Sequence, residues 1–370
     1  MKKYFKKVLT DIFYGGIVLL VLERGQELRK RVSLKERRKL KKFLKKELTS
    51  LNITEPLKTI YLGGGTPTSL NDEQLEWLMD IIKPYISEKT LEVTIEANPE
   101  TLDYYKLDIL KRGGVTRLSI GVETFNDRLL KGINRKHNSE QVKRIIRYGH
   151  QLGFDNISID LMYGLPDQTI EDVENDLKII ESLKIQHVSY YSLILEDHTV
   201  LKNQNYQPLD EETEADINKL IDHQLKNMGF IKYEISNYAK PGFESLHNLA
   251  YWQYDNYYGI GLGSSGKVDD CLIEHSRNLN AYLRFQDITN KITNSKEETM
   301  FNHLMMSLRL IKGLDLDEFK NRYGLKVTDV YQEAINKHLK LKTLVIEDGY
   351  LRCTNDSIKL LNTILLDFIK

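Results

Sequence analysis

With 370 residues, 41% hydrophobic and 29% charged, the chain has enough apolar side chain to bury a large core, and it shows no low-complexity tract. Disorder is therefore not its default state. The formal net charge is zero, and the two cysteines, Cys271 and Cys353, lie far apart, which excludes a disulfide framework and any C-x-x-C metal or redox motif. Such cysteine usage fits a reducing cytoplasm.

The charge balance is uneven, because residues 1–50 carry 16 Lys and Arg against 5 Asp and Glu. Across the basic stretch 23–42 no aromatic residue interleaves with the charges as a nucleic-acid arm requires, so no nucleic acid is expected and the segment reads as a solvated helix face. Weak membrane association through this basic segment is the alternative. The apolar stretch 13–22 is about half of the ~20 residues that span a bilayer. Glu23-Arg24-Gly25 follows it where a signal peptide has small residues, so no export signal is read.

Residues 17–22 form a short β-branched run and suit a buried strand. Ser33-Leu34-Lys35-Glu36 is a capping box that opens a helix ending near Thr49. Beyond it, the apolar runs 59–62, 91–95, 115–122, 156–162, 187–193 and 231–235 read as strands. They alternate with helical spacings over 72–83, 102–112, 139–152, 170–183 and 211–228, which implies an α/β protein with parallel strands. Glu96, Glu123 and Asp160 end different strands, and this favours a partial TIM-like (β/α)6 barrel over an open doubly wound sheet.

From about residue 299 the pattern changes to helices over 300–311, 316–323 and 330–339. Two short strands then meet about Asp348-Gly349, which makes a small winged-helix-like lobe. Its third helix lacks a basic face, so a packing role is expected. The expected organisation is a divergent basic segment 1–50, a barrel with an aromatic and glycine-rich region 51–298, and a C-terminal lobe 299–370.

Gly63-Gly64-Gly65-Thr66-Pro67-Thr68 follows a strand and precedes a helix, where glycines let the backbone approach a ligand and its N–H groups bind it. Its spacing is neither G-x-G-x-x-G nor a Walker loop. Glu96 reaches the C-terminal rim of its strand, where a carboxylate suits two ribose hydroxyls. Asp160 faces inward on a buried strand and needs a partner, for which Arg135 is the candidate. Further on, His247-Asn248-Leu249-Ala250-Tyr251-Trp252 lies between Tyr233–Tyr238 and a glycine run from 259 to 266. This aromatic setting suits a large flat apolar ligand with an axial imidazole, as heme is; a lone histidine is more often structural.

Taken together, YLGGGTPT (61–68), EANP (96–99), SIGVETFN (119–126), NISIDLMYGLP (156–166), YEISNY (233–238) and HNLAYW (247–252) resemble one family. It is the oxygen-independent coproporphyrinogen-III-oxidase-like radical S-adenosylmethionine proteins, and within it the shorter heme-chaperone branch. The resemblance covers about residues 57–360. It implies that Gly64, Gly65 and Thr66 hold the methionine end of S-adenosylmethionine, that Glu96, Glu123, Arg135 and Asp160 line the cofactor site, and that His247 and Tyr251 belong to the heme element. The family usually has Gln where this chain has Glu123.

The resemblance also implies a first strand followed by C-x-x-x-C-x-x-C, whose three thiolates hold a [4Fe–4S] cluster. Here residues 17–22 stand in the strand's place and Glu23-Arg24-Gly25-Gln26 in that of the cysteines. Thiolates are the usual cluster ligands, and neither cysteine lies near that loop. Two readings follow: a heme chaperone that passes heme or porphyrin to an acceptor protein, and a coproporphyrinogen III oxidase, which cannot lose the cluster. A third places a wrong start or reading frame in the first fifty residues, which the upstream coding sequence would reveal.

Overall fold

The computed structural model describes residues 18–20, 34–53, 55–194, 206–284 and 290–369. The expected cap at Ser33 and the loop 23–26 lie outside the described residues.

Parallel strands form the body of the molecule. They are β1 (Val18–Leu20), β2 (Thr59–Leu62), β3 (Glu92–Ala97), β4 (Arg117–Glu123), β5 (Asn156–Tyr163) and β6 (His187–Ser192). Each neighbours the next in sequence order, and the crossovers run through helices α1 (Leu34–Ser50), α2 (Asp72–Ile82), α3 (Tyr104–Arg112), α4 (Ser139–Gln151) and α5 (Ile170–Ser182). Several helix starts are fixed locally: Asn71 with Gln74 and Asn138 with Gln141 make reciprocal capping boxes, which satisfy two otherwise orphaned N–H groups at each end.

The strands alternate up to the register shift between Gly121 and Glu123. On β4, Leu118, Ile120 and Val122 are fully buried and point toward the helices, where Val142, Ile145 and Ile146 of α4 belong to the same apolar cluster. Each such side chain contributes roughly 1.5–3 kcal/mol by leaving water. The intervening Arg117 and Ser119 face the concave side, as do Thr94 and Glu96 on β3 and Ser158 and Asp160 on β5, their lateral neighbours in register or one step along. The concave side is therefore a polar lumen instead of a filled apolar core.

Among the described residues the sheet does not close. The sixth expected run, 231–235, gives only a two-residue strand, β7 (Ile231–Lys232), which lies antiparallel to β8 (Asn237–Ala239) at one edge. Between β6 and β7 runs helix α6 (Glu211–Asn227), and after β8 comes helix α7 (Leu246–Trp252). The other edge is β9 (Gly259–Gly261), parallel to β1. A partial barrel results, in agreement with the expected class. The glycines after β9 are structural: a Cβ on Gly266 would lie 2.6 Å from the Gly259 nitrogen, so the two backbones touch.

The C-terminal lobe has a second apolar cluster, built on α8 (Lys296–Ser307), α9 (Leu316–Tyr323) and α10 (Gln332–Lys340). Its hairpin pairs β10 (Leu344–Glu347) with β11 (Tyr350–Cys353). Asp348 and Gly349 both have positive φ, 49° and 82°, as a two-residue type I′ turn requires.

Candidate functional site

The candidate residues gather on the concave side and at the C-terminal rim of the parallel strands. Three groups of contacts define the rim. In the first, Glu96 accepts hydrogen bonds from the Tyr61 hydroxyl (2.7 Å) and from the Gly64 N–H (2.9 Å). Burial pushes this carboxyl up from its ordinary value even though both bonds favour the charged form. The neighbouring Gly63 has no room for a side chain, because a Cβ there would stand 2.5 Å from Tyr61 and 2.7 Å from the Glu96 carboxylate.

In the second group, Thr66, in the left-handed region at φ 56°, accepts from Asn98 Nδ2 at 3.2 Å. Asn98 approaches the backbone at Gly121, and so does Glu123. Glu123 forms an ion pair with Arg135. This corrects the expected pairing, since Arg135 meets Glu123 and not Asp160. The cause is a register shift between Gly121 and Glu123, where Glu123 takes φ 66° and leaves the strand's alternation.

In the third group, Asp160 accepts from Ser119 Oγ at 3.2 Å. Its carboxyl is pushed up chiefly by burial; hydrogen bonds from Ser189 and Ser119 and the charge of Arg117 oppose that shift. Gly65 is half-buried in the loop between the first two groups.

His247 and Tyr251 come from α7, one helical turn apart. His247 is 2% exposed, with Nδ1 2.8 Å from Thr59 Oγ1 and Nε2 2.6 Å from the Tyr251 hydroxyl. With the proton on Nδ1, Nε2 accepts from Tyr251, and its lone pair is the one a metal would take. Burial, aided by the charge of Arg117, lowers this imidazole to about 3, so it is neutral at physiological pH. Its ring stacks on Tyr61 at 4.9 Å between centres, and Tyr251 in turn meets Tyr257 edge-on at 4.8 Å. The helix is anchored by Glu92, whose carboxylate accepts the backbone N–H groups of Leu246 and His247.

The two sets of residues that the sequence separates are thus one connected surface, joined through Tyr61. Sequence reasoning missed Tyr61, Glu92, Asn98, Ser119 and Ser189. Tyr61, Asn98 and Ser119 lie inside quoted motifs, and period-two alternation back from Glu96 on the same strand reaches Glu92.

The donor set suits some groups and not others. A neutral imidazole beside a phenol, among aromatic rings, is a donor set that fits heme. A [4Fe–4S] cluster does not fit: the chain has two cysteines, Cys271 on a β-ladder and Cys353 on the C-terminal hairpin, and burial pushes the latter's thiol up to about 11. Among the described residues no group of three His, Cys, Asp or Glu side chains is arranged to hold a metal ion. No helix of the described residues is long and apolar enough to cross a membrane.

Comparison with known proteins bears on the family and the fold. Residues 26–180 match the Radical SAM superfamily, and residues 294–356 match the HemN C-terminal domain. Heme chaperone HemW of Lactococcus lactis is 36% identical over 323 residues, covering 85% of each chain. That of Bacillus subtilis is 38% identical over 304 residues, 78% of this chain and 79% of its own, and that of Escherichia coli is 31% identical over 319 residues. Among solved structures, coproporphyrinogen III oxidase (HemN) from Escherichia coli superposes with a TM-score of 0.77 over 91% of this chain and 84% of its own. At 20% identity, that likeness concerns the fold. The chain belongs to the heme chaperone HemW family, built on a radical SAM scaffold with a HemN-type C-terminal domain.

Proposed function

We propose that this chain is a heme carrier, which takes up heme on the concave side of the barrel with His247 as the axial imidazole and releases it to an acceptor protein. The observation that carries the reading is the His247–Tyr251 pair. A histidine held neutral needs no proton removed before it ligates iron, and a single hydroxyl must leave Nε2 to expose the lone pair. Heme, when bound, supplies an iron centre whose open coordination position an imidazole can fill. Thr59 fixes the ring through Nδ1, and such a partner orients a metal-ligating histidine.

Gly64, Gly65, Thr66, Glu96, Glu123, Arg135 and Asp160 are proposed to line an S-adenosylmethionine site. The Gly64 N–H and the neighbouring carboxylates have the chemistry for an amino-acid moiety and ribose hydroxyls, but Glu123 already occupies the Arg135 guanidinium. With no cysteine set for a cluster, no radical step is derived for this chain, and carriage is favoured over oxidative decarboxylation. A cytoplasmic location, surface contact of the basic segment 1–50, and division at about residues 50 and 298 belong to the same proposal.

Hemin titration of the purified chain tests it. A Soret shift that His247→Ala diminishes supports the reading, and an identical shift in the variant removes His247 from the site. Anaerobic reconstitution with iron and sulfide is expected to give no cluster absorbance; a bound cluster would overturn the assignment as a carrier without radical chemistry.

A further inference from the structure

The concave face holds a charge that the site above does not use. Arg117 opens β4 and is 2% exposed, with Thr94 of β3 and Asn156 of β5 beside it in register. Among the described residues its guanidinium makes no hydrogen bond or ion pair, and its Nε is buried without an acceptor. Thr94 Oγ1 and Asn156 Oδ1 are likewise buried without a partner. Three adjacent polar side chains are therefore each left with an unmet bond on the same face.

Such a cluster is costly unless something outside the chain completes it, because a buried charge needs a counterion and buried polar atoms are almost always hydrogen-bonded. The field of Arg117 is felt throughout the lumen. It adds to the lowering of His187 and His247 that burial mainly causes, and offsets part of the burial shift of Asp160 and Tyr233.

The chemistry selects an organic carboxylate. A guanidinium presents a planar fork that meets a carboxylate with two parallel bonds, the Thr94 hydroxyl beside it adds a donor, and the Asn156 oxygen, an acceptor, is left for an N–H of Arg117 and not for the ligand. Glu92 and Asp160 on the same face disfavour a more highly charged anion such as phosphate. Asp160 stands four residues along β5 from Asn156, about 13 Å at ~3.3 Å per residue. A ligand of that length reaches from the rim to Arg117.

We propose that Arg117 is the anion-receiving floor of the lumen and takes one carboxylate of the ligand. That carboxylate is a propionate when the ligand is heme, a step that rests on the carrier reading above.

The test uses the full chain, Arg117→Met, which keeps an unbranched apolar stem and removes the charge, and Arg117→Lys, which keeps its charge. Sodium propionate is expected to raise the melting temperature of the parent chain more than inorganic phosphate does, to raise that of Arg117→Lys less, and to leave Arg117→Met unmoved. Without ligand, Arg117→Met should be at least as stable as the parent, because an unpaired buried charge has gone. A destabilised or unfolded Met variant shows a structural role and overturns the proposal, as does an equal propionate response in parent and Met variant, or none in the parent.

Hemin and its dimethyl ester then separate the two readings. The parent should prefer hemin by about tenfold, as one charge-assisted contact gives, and Arg117→Met should show no preference. Heme binding with the preference intact in Arg117→Met removes the propionate from this floor. Absence of any heme binding sinks the carrier reading, while the propionate response still judges Arg117.

Discussion

The imidazole of His247 stacks on the ring of Tyr61, and the Tyr61 hydroxyl donates to Glu96, which also holds the Gly64 N–H. A displacement of the imidazole therefore reaches the glycine loop through one ring and two hydrogen bonds. Tyr61→Phe keeps the stack and removes the first of those bonds. A buried hydrogen bond to a carboxylate contributes about 1–3 kcal/mol, and the variant is expected to lose that much stability in urea unfolding. An unchanged unfolding midpoint would show that water replaces the phenol at Glu96.

Glu123 and Arg135 form the contact most open to a direct test at the proposed S-adenosylmethionine site. Replacing the carboxylate by an amide, Glu123→Gln, frees the guanidinium for an external carboxylate without changing the side chain's size. Calorimetric titration with S-adenosylmethionine should show the variant binding about tenfold more tightly, the worth of one charge-assisted bond. Equal affinities would mean that Arg135 does not take part. Because Glu123 sits at φ 66°, Glu123→Gly should in addition relieve backbone strain of about 1 kcal/mol.

Much of this arrangement was legible in the sequence. The parallel order followed from the alternation of apolar runs and helical spacings, and the rim position of Glu96 and Asp160 followed from their place at strand ends. The polar lumen does not emerge, because the run 115–122 reads as apolar, although every second residue from Arg117 onward is polar or glycine. Partners escaped for a physical reason. Alternation predicts which way a side chain points only while the ladder is regular, and the register shift before Glu123 turns its carboxylate to Arg135. The run 231–235 misled because a two-residue antiparallel edge strand is specified by its neighbour β8 and carries too little pattern of its own.

Gly63 gives a steric test of the loop. Gly63→Ala places a methyl 2.5 Å from the Tyr61 ring and 2.7 Å from the Glu96 carboxylate, and neither is the end of a flexible chain in open space. Overpacking of this kind costs about 1–3 kcal/mol. Thermal unfolding should report that loss, and hemin titration should show a changed Soret response, because Tyr61 cannot shift without moving His247. A stable variant with parental heme binding would show that the loop and the imidazole are not mechanically joined.

The last prediction concerns acid. His247 and His303 are both buried, and burial holds each imidazole near 3, whereas an unfolded histidine titrates near 6.5. Between those values the unfolded chain binds a proton that the folded chain refuses, so each group makes stability rise with pH, by up to about 1.4 kcal/mol per pH unit. Their contribution is full above about pH 6.5 and is lost as pH falls toward 3. Asp176 and Glu234 act in the opposite sense: burial raises both carboxyls to about 7, so the folded chain retains protons that the unfolded chain gives up above pH 4. The net curve mixes both, and the clean measurement is a difference. His303 packs between Tyr254 and Phe319 with its Nδ1 unbonded, so His303→Leu removes one proton-refusing group without breaking a hydrogen bond at that nitrogen. Urea unfolding at pH 5 and pH 7 should show the variant losing less stability on acidification than the parent, by about 1–2 kcal/mol. Equal losses would mean that His303 carries a proton in the folded state.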